Sequence, residues 1–141
     1  MPAYDPDNIF AKILAGSIPS HKVYEDADIL AIMDVFPQSR GHTLVIPRAP
    51  SRGLLDADPE VLSAVIPKVQ KIAGAVLAAT GADGFRLVQF NEAPAGQSVF
   101  HLHFHIIPAY EGSEIRPHGA PSKADDAELA ALAKTIAARL A

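Results

Sequence analysis

The chain has 141 residues, 49% of them hydrophobic and 20% charged, enough for one domain with a real core and too little for two. Its formal net charge is -4 and it contains no cysteine. It therefore lacks the basic field of a general nucleic-acid binder and can supply neither disulfides nor thiolate nucleophiles or zinc ligands. There is no run of 18 apolar residues to suggest a membrane span and no secretory pattern at the start, so the expectation is a cytoplasmic protein without a membrane partner.

Residues 1–7 read as a short N-terminal arm. Asn8 or Asp7 can cap a helix over Ile9 to Ala15, where Ile9, Phe10, Ile13 and Leu14 recur at helical spacing and Gly16 supplies the stop. Strands are predicted over Lys22 to Glu25, Ile29 to Val35 and His42 to Ile46, the last halted by Pro47, which has no N–H to donate. Asp58-Pro59-Glu60 combines a cap, a tolerated first-turn proline and an acid near the positive helix end. Leu62, Val65, Ile66, Val69, Ile72, Ala73, Val76 and Leu77 then form one apolar stripe, which predicts one helix kinked at Pro67 and ended by Thr80-Gly81. Phe85 to Phe90 is a further strand, Asn91 to Gly96 a turn-rich loop, Val99 to Ile107 the clearest strand, residues 109–122 a loop, and Asp125 to Leu140 a final helix. The order predicts an α+β domain, an antiparallel sheet with helices on one face, spanning 1–141.

The chemistry concentrates in His101-Leu102-His103-Phe104-His105. On a strand, a period of two puts the three imidazoles on one face and Leu102, Phe104 and Ile106 on the other. Imidazole suits catalysis because it titrates near neutrality and its two nitrogens can do different work. Gly96-Gln97-Ser98 adds donors that could hold an anion. Three readings stay open from the residues alone: phosphate-group transfer through a histidine nucleophile, a zinc site completed by His42 or His118, and histidines merely hydrogen-bonded on a solvated face. His21 and His118 are expected at the surface.

The run His101-Leu102-His103-Phe104-His105-Ile106-Ile107 resembles the signature of the histidine triad family of nucleotide hydrolases and transferases. The likeness extends through NIFAKILAGSIPSHKVYEDADILAIMD, GHTLVIPR and NEAPAGQSVF, and is nearest to the purine nucleoside phosphoramidase-like or general bacterial branch. It implies a roughly five-stranded sheet, a homodimer whose sheets join across the interface, and a purine nucleotide or nucleotide conjugate as ligand. His103 would attack the α-phosphorus and form a covalent nucleotidyl-histidine, with His101 and His42 orienting it and His105 near the phosphate and leaving group. Ser98 would face the scissile phosphate, Gln97 and Asn91 the phosphate side, and Asp34 the ribose hydroxyls, while Ile9, Phe10, Ile13, Ile32 and Val35 would wall the base pocket.

Two departures matter. Asn8 and Ala11 stand where many bacterial members have the Cys-x-x-Cys of a structural zinc, so no metal and no cofactor is expected. Ala109 stands where a basic residue is common, which favours small substrates such as nucleoside phosphoramidates over long polyphosphates. The expected activity is hydrolysis at the α-phosphorus of phosphoramidates or dinucleoside polyphosphates. A nucleotide-binding regulator with incidental hydrolysis and a metal-dependent hydrolase are the alternatives.

Overall fold

The computed structural model describes residues 2–118 and 122–141. Met1 of the expected arm and residues 119–121 of the expected loop lie outside them. Helix α1 spans Ile9–Leu14, β1 Lys22–Glu25, β2 Ile29–Met33, β3 Thr43–Pro47, α2 Pro59–Thr80, β4 Gly84–Val88, β5 Phe104–Ala109 and α3 Asp126–Ala138, with a 3-10 turn at Ala93–Ala95. The strands form one antiparallel sheet in the order β1-β2-β3-β5-β4. The fold is thus the expected α+β sheet of five strands.

Side chains alternate across the sheet, so each central strand feeds two layers. Ile29, Ala31 and Met33 of β2, Val45 of β3, and Phe104 and Ile106 of β5 pack beneath Val65, Val69, Ile72 and Val76 of α2 and Leu129, Leu132 and Ile136 of α3. Leu30, Ile32, Leu44 and Ile46 face the other way and meet Phe10 of α1. The two long helices therefore share one face, and the short first helix marks the face that carries the site. Burial on both faces explains why β2 and β3 read as continuous apolar runs rather than alternating ones. Helix α2 is long and apolar enough to cross a membrane by composition, yet its stripe is spent on the sheet. Ile66, expected in that stripe, is 46% exposed on the far side of the helix.

Capping follows the local chemistry. Asn8, not Asp7, starts α1 by accepting from the Ala11 N–H at 2.9 Å. Asp58 accepts from Glu60 N at 2.9 Å to start α2, which runs unbroken through Pro67 to Gly81 in the left-handed region.

Strand β5 is shifted from expectation: it begins at Phe104, not Val99, and continues through Pro108. The late start has a cause in its neighbour. Val45 pairs with Phe104, so the ladder would next reach Ile46 and Pro47, and Pro47 has no N–H to donate. Leu102 N turns instead to Ser51 O at 2.9 Å. Pro108 is tolerated because pairing with β3 ends at Ile106, and its carbonyl accepts from Ser39 Oγ at 2.6 Å in place of a ladder bond.

Candidate active site

His101 and His103 sit on the non-ladder segment leading into β5, and His105 lies on the strand itself, opposite Leu44. All three are buried, as is His42 just before β3. Leu102, Phe104 and Ile106 anchor the segment from the helix side, so packing holds the imidazoles in place.

Hydrogen bonds assign each ring its protons, because a carbonyl can only accept and a backbone N–H can only donate. His103 Nδ1 is 2.7 Å from its neighbour's carbonyl, His101 O, so Nδ1 carries the hydrogen and the lone pair lies on Nε2. His101 Nε2 donates to Pro47 O at 2.7 Å, which leaves Nδ1 to accept from the Tyr4 hydroxyl at 2.7 Å. His42 Nδ1 accepts from Gln38 N at 3.0 Å. Its hydrogen is therefore on Nε2, which donates to His105 Nδ1 at 2.9 Å. The proton of His105 must then sit on Nε2, a buried atom with no partner among the described residues.

Burial sets the charge state. It pushes His103 down to about 4 and His42 down to about 3, and it lowers His101 and His105 as well, the latter helped by the neighbouring imidazoles His103 and His42. The cluster is neutral at pH 7. Burial likewise raises Asp34 to about 6, against the opposing pull of the Phe36 N–H that its Oδ1 accepts at 2.8 Å.

Asp34, His42, His103 and His105 line a cavity of about 590 Å³, within the range of small-molecule and cofactor sites. Its apolar end is built from Ile9, Phe10, Ile13, Ile18, Ile32 and Val35, and its polar end from Asp34, His42, Ser98, His103, His105 and His118. Phe10 meets the His103 ring edge to face at 4.7 Å between centroids. A second cavity of about 440 Å³ lies against α3 and contains none of the histidines.

The HIT domain pattern matches residues 15–112. A Hit-like protein of Bartonella henselae, described as involved in cell-cycle regulation and solved with an unknown ligand, is 53% identical, with a TM-score of 0.92 over 99% of this chain and 100% of that one. Protein hit of Bacillus subtilis is 40% identical over 138 residues, 94% of each chain. The adenylylsulfatase HINT3 of Arabidopsis thaliana is 45% identical over 105 residues, 74% of this chain and 53% of that protein, so this chain spans about half the length of the plant relative. The chain belongs to the histidine triad (HIT) family.

A HIT relative from Mycobacterium smegmatis, 31% identical with a TM-score of 0.82 over 95% of this chain and 93% of that one, is zinc-bound. The present residues do not fit a metal. Asn8 uses its side chain to cap α1 and Ala11 has no donor atom. Asp34, His42 and His105 are close enough to be considered as a ligand set, but the His42 proton faces His105, not outward. Their two nitrogens are 2.9 Å apart and share that proton, whereas two nitrogens on one tetrahedral zinc at ~2.0–2.1 Å stand roughly 3.3 Å apart.

The cavity brings together Ile9, Phe10, Ile13, Ile32, Asp34, Val35, His42, Ser98, His103 and His105 of the residues singled out in the sequence. It does not include His101, which supports the segment from behind, or Asn91 and Gln97. Gln97 spends its amide on Glu92 N, Arg52 O and Val99 O, and Asn91 spends its side chain on Leu54 N and Gln89, so both brace the loop rather than face the cavity. Three residues escaped the sequence reading. Tyr4 comes from the arm, 97 positions from its partner His101. Gln38 ties His42 in place through its backbone. His118 is exposed, as expected, and also lines the cavity, a role the sequence did not signal. Nothing in the local sequence marks these long-range contacts.

Proposed function

We propose that this protein is a nucleotide hydrolase or transferase that cleaves the bond between the α-phosphorus of a purine nucleotide and its leaving group, through a covalent intermediate on His103. The observation that carries the reading is the proton assignment: a neutral imidazole whose Nδ1–H is held by His101 O and whose Nε2 lone pair is unprotonated within the cavity. In the first step that lone pair forms a bond to phosphorus, the bond to the leaving group breaks, and the leaving group departs with a proton. The His101 carbonyl stabilises the positive charge that develops on the ring. The unpartnered His105 Nε2–H supports donation to a phosphoryl oxygen, and Ser98 to the same region. Water then breaks the phosphorus–nitrogen bond and frees the nucleoside monophosphate.

The Asp34 carboxylate in the cavity wall supports a role as acceptor for ribose hydroxyls, and the apolar end of the cavity supports a role as base pocket. Nucleoside phosphoramidates and dinucleoside polyphosphates are the proposed substrates, with adenylyl sulfate added by the plant relative's name. The sheet edge supports a homodimer: among the described residues β4 pairs with β5 alone and leaves Phe85 43% and Leu87 52% exposed, an apolar edge strand that a second copy would cover.

The test compares His103→Ala with wild type on adenosine phosphoramidate, diadenosine polyphosphate and adenylyl sulfate, with mass spectrometry for nucleotidylated protein. Loss of turnover by on the order of 10³-fold or more, with the wild-type adduct on His103, is expected. An adduct elsewhere, or normal turnover by the variant, refutes the assignment. Tight AMP binding without turnover of any substrate would make the protein a nucleotide-binding module instead.

A further inference from the structure

The nucleophile and the phosphate donor account for two needs of the reaction, but the leaving group also needs a proton, and the buried histidines have none to give. His103 must present a lone pair. His105 and His42 hold one proton each, and His42 already accepts from Gln38 N. If His105 gave up its Nε2–H and drew the replacement from His42, the pair would be left with an imidazolate. The relay is therefore a fixed array of donors rather than a source of protons.

The remaining imidazole at the cavity is His118. The segment after β5 folds back across the mouth and is clasped there by reciprocal backbone and side-chain bonds: Arg116 N donates to Gln38 O at 2.8 Å, and Gln38 Nε2 donates to Arg116 O at 2.9 Å. This places the His118 ring 4.6 Å from Phe90 and 5.7 Å from His105, between centroids. His118 Nε2 donates to Gly96 O at 2.7 Å, and Nδ1 has no partner among the described residues. The carbonyl engages Nε2–H, which leaves Nδ1 as the nitrogen open to a bound group. Gly96 is required beneath the ring: its φ is 111°, and a Cβ there would stand 3.1 Å from Phe90. The titratable groups around His118 are Asp34, His42, His103 and His105 in the cavity and Arg116 on its own segment.

Resting on the proposed function, we infer that His118 is the catalytic acid for the leaving group. As His103 Nε2 bonds to phosphorus and the bond to the leaving atom breaks, protonated His118 transfers the hydrogen on Nδ1 to that atom. Neutral His118 then takes a proton from the water that attacks the nucleotidyl-histidine, which restores the imidazolium and releases the nucleoside monophosphate. The sum is nucleotide conjugate plus water giving nucleotide plus protonated leaving group, with no other reactant.

The test exploits leaving groups that differ in their need for a proton. The p-nitrophenyl ester of AMP expels a stable phenolate without protonation, whereas an AMP alkylamidate expels an amine only when protonated. Single-turnover rates of the first step are measured for wild type, His118→Ala and His118→Gln, with thermal midpoints to establish that both variants fold. General acid catalysis contributes on the order of 10²- to 10⁴-fold. The expected result is a loss of at least ~10²-fold on the alkylamidate, less than about threefold on the nitrophenolate burst, and a nucleotidyl-His103 adduct that persists because its hydrolysis lacks a base. Glutamine can keep the bond to Gly96 O but carries no transferable proton, so it should behave like alanine. Equal losses on both substrates, or full rescue by glutamine, would show a positioning role and overturn the inference. Failure of the wild type to release nitrophenolate would refute the proposed function itself, and this step with it.

Discussion

At pH 5 an unfolded chain carries its histidines almost fully protonated, whereas His42, His103 and His105 in the folded protein are kept neutral by burial. The unfolded state therefore binds more protons than the folded one between the unfolded value of about 6.5 and the folded values of about 4 for His103 and about 3 for His42. Stability from these groups is present above that window and is lost as pH falls through it. From pH 7 to pH 5 each of the three rings costs about 2 kcal/mol. Asp34 acts with the opposite sign: raised to about 6 by burial, it protonates first in the folded state and offsets about 1 kcal/mol. The net loss is about 5 kcal/mol, a large share of the ~5–15 kcal/mol that holds a domain together. For a chain of 141 residues this corresponds to a fall in thermal midpoint of roughly 10–20 °C. Urea unfolding and thermal melts at pH 7, 6 and 5 measure it directly. The variant His103→Asn should lose about 2 kcal/mol less over the same interval. A midpoint that stays constant or rises between pH 7 and pH 5 would mean that these rings are not buried as neutral groups, and the proton assignments built on their burial would fall with it.

Two other changes probe the same site from its edges. Tyr4→Phe removes the donor to His101 Nδ1 and leaves a buried acceptor unpaired, which should cost about 1–3 kcal/mol and lower turnover several-fold without changing where the nucleotidyl adduct forms; melts and adduct mapping read the two effects separately. Asp34 loses its acceptor charge as pH falls through about 6, so calorimetric AMP affinity should weaken on acidification through that range. Asp34→Asn should bind more weakly at pH 7 and show no inflection there; an unchanged affinity would remove Asp34 from the ribose site.

The sheet, both long helices and the histidine row were legible because each is written in local pattern. A stripe of apolar residues specifies α2, and alternation separates His103 and His105 from Leu102, Phe104 and Ile106. What the pattern could not show is where the backbone bonds go. Alternation from Val99 to Ile107 is compatible with a strand, yet the ladder stops at Phe104 because the facing residue beyond Ile46 is a proline. Gln97 and Asn91 have the right chemistry for a phosphate, but their side chains are consumed by the loop they brace. Tyr4 and His118 reach the site from the arm and from the segment after β5, and no periodicity connects them to it.

The interruption of the ladder is itself what fixes the proton positions of His101 and His103. A histidine within a regular strand sends its side chain away from the sheet plane while neighbouring strands take the backbone carbonyls. Between Phe100 and Phe104 that competition is absent: Leu102 N is engaged by Ser51 O, and the carbonyl of His101 turns to its own chain, where His103 Nδ1 binds it at 2.7 Å. The carbonyl of Pro47, left free where the ladder stops, selects the tautomer of His101. The free lone pair of His103 and the proton position of His101 are both set by backbone acceptors that a continuous ladder would have consumed. Local pattern supplies the imidazoles, and the break in that pattern assigns their protons.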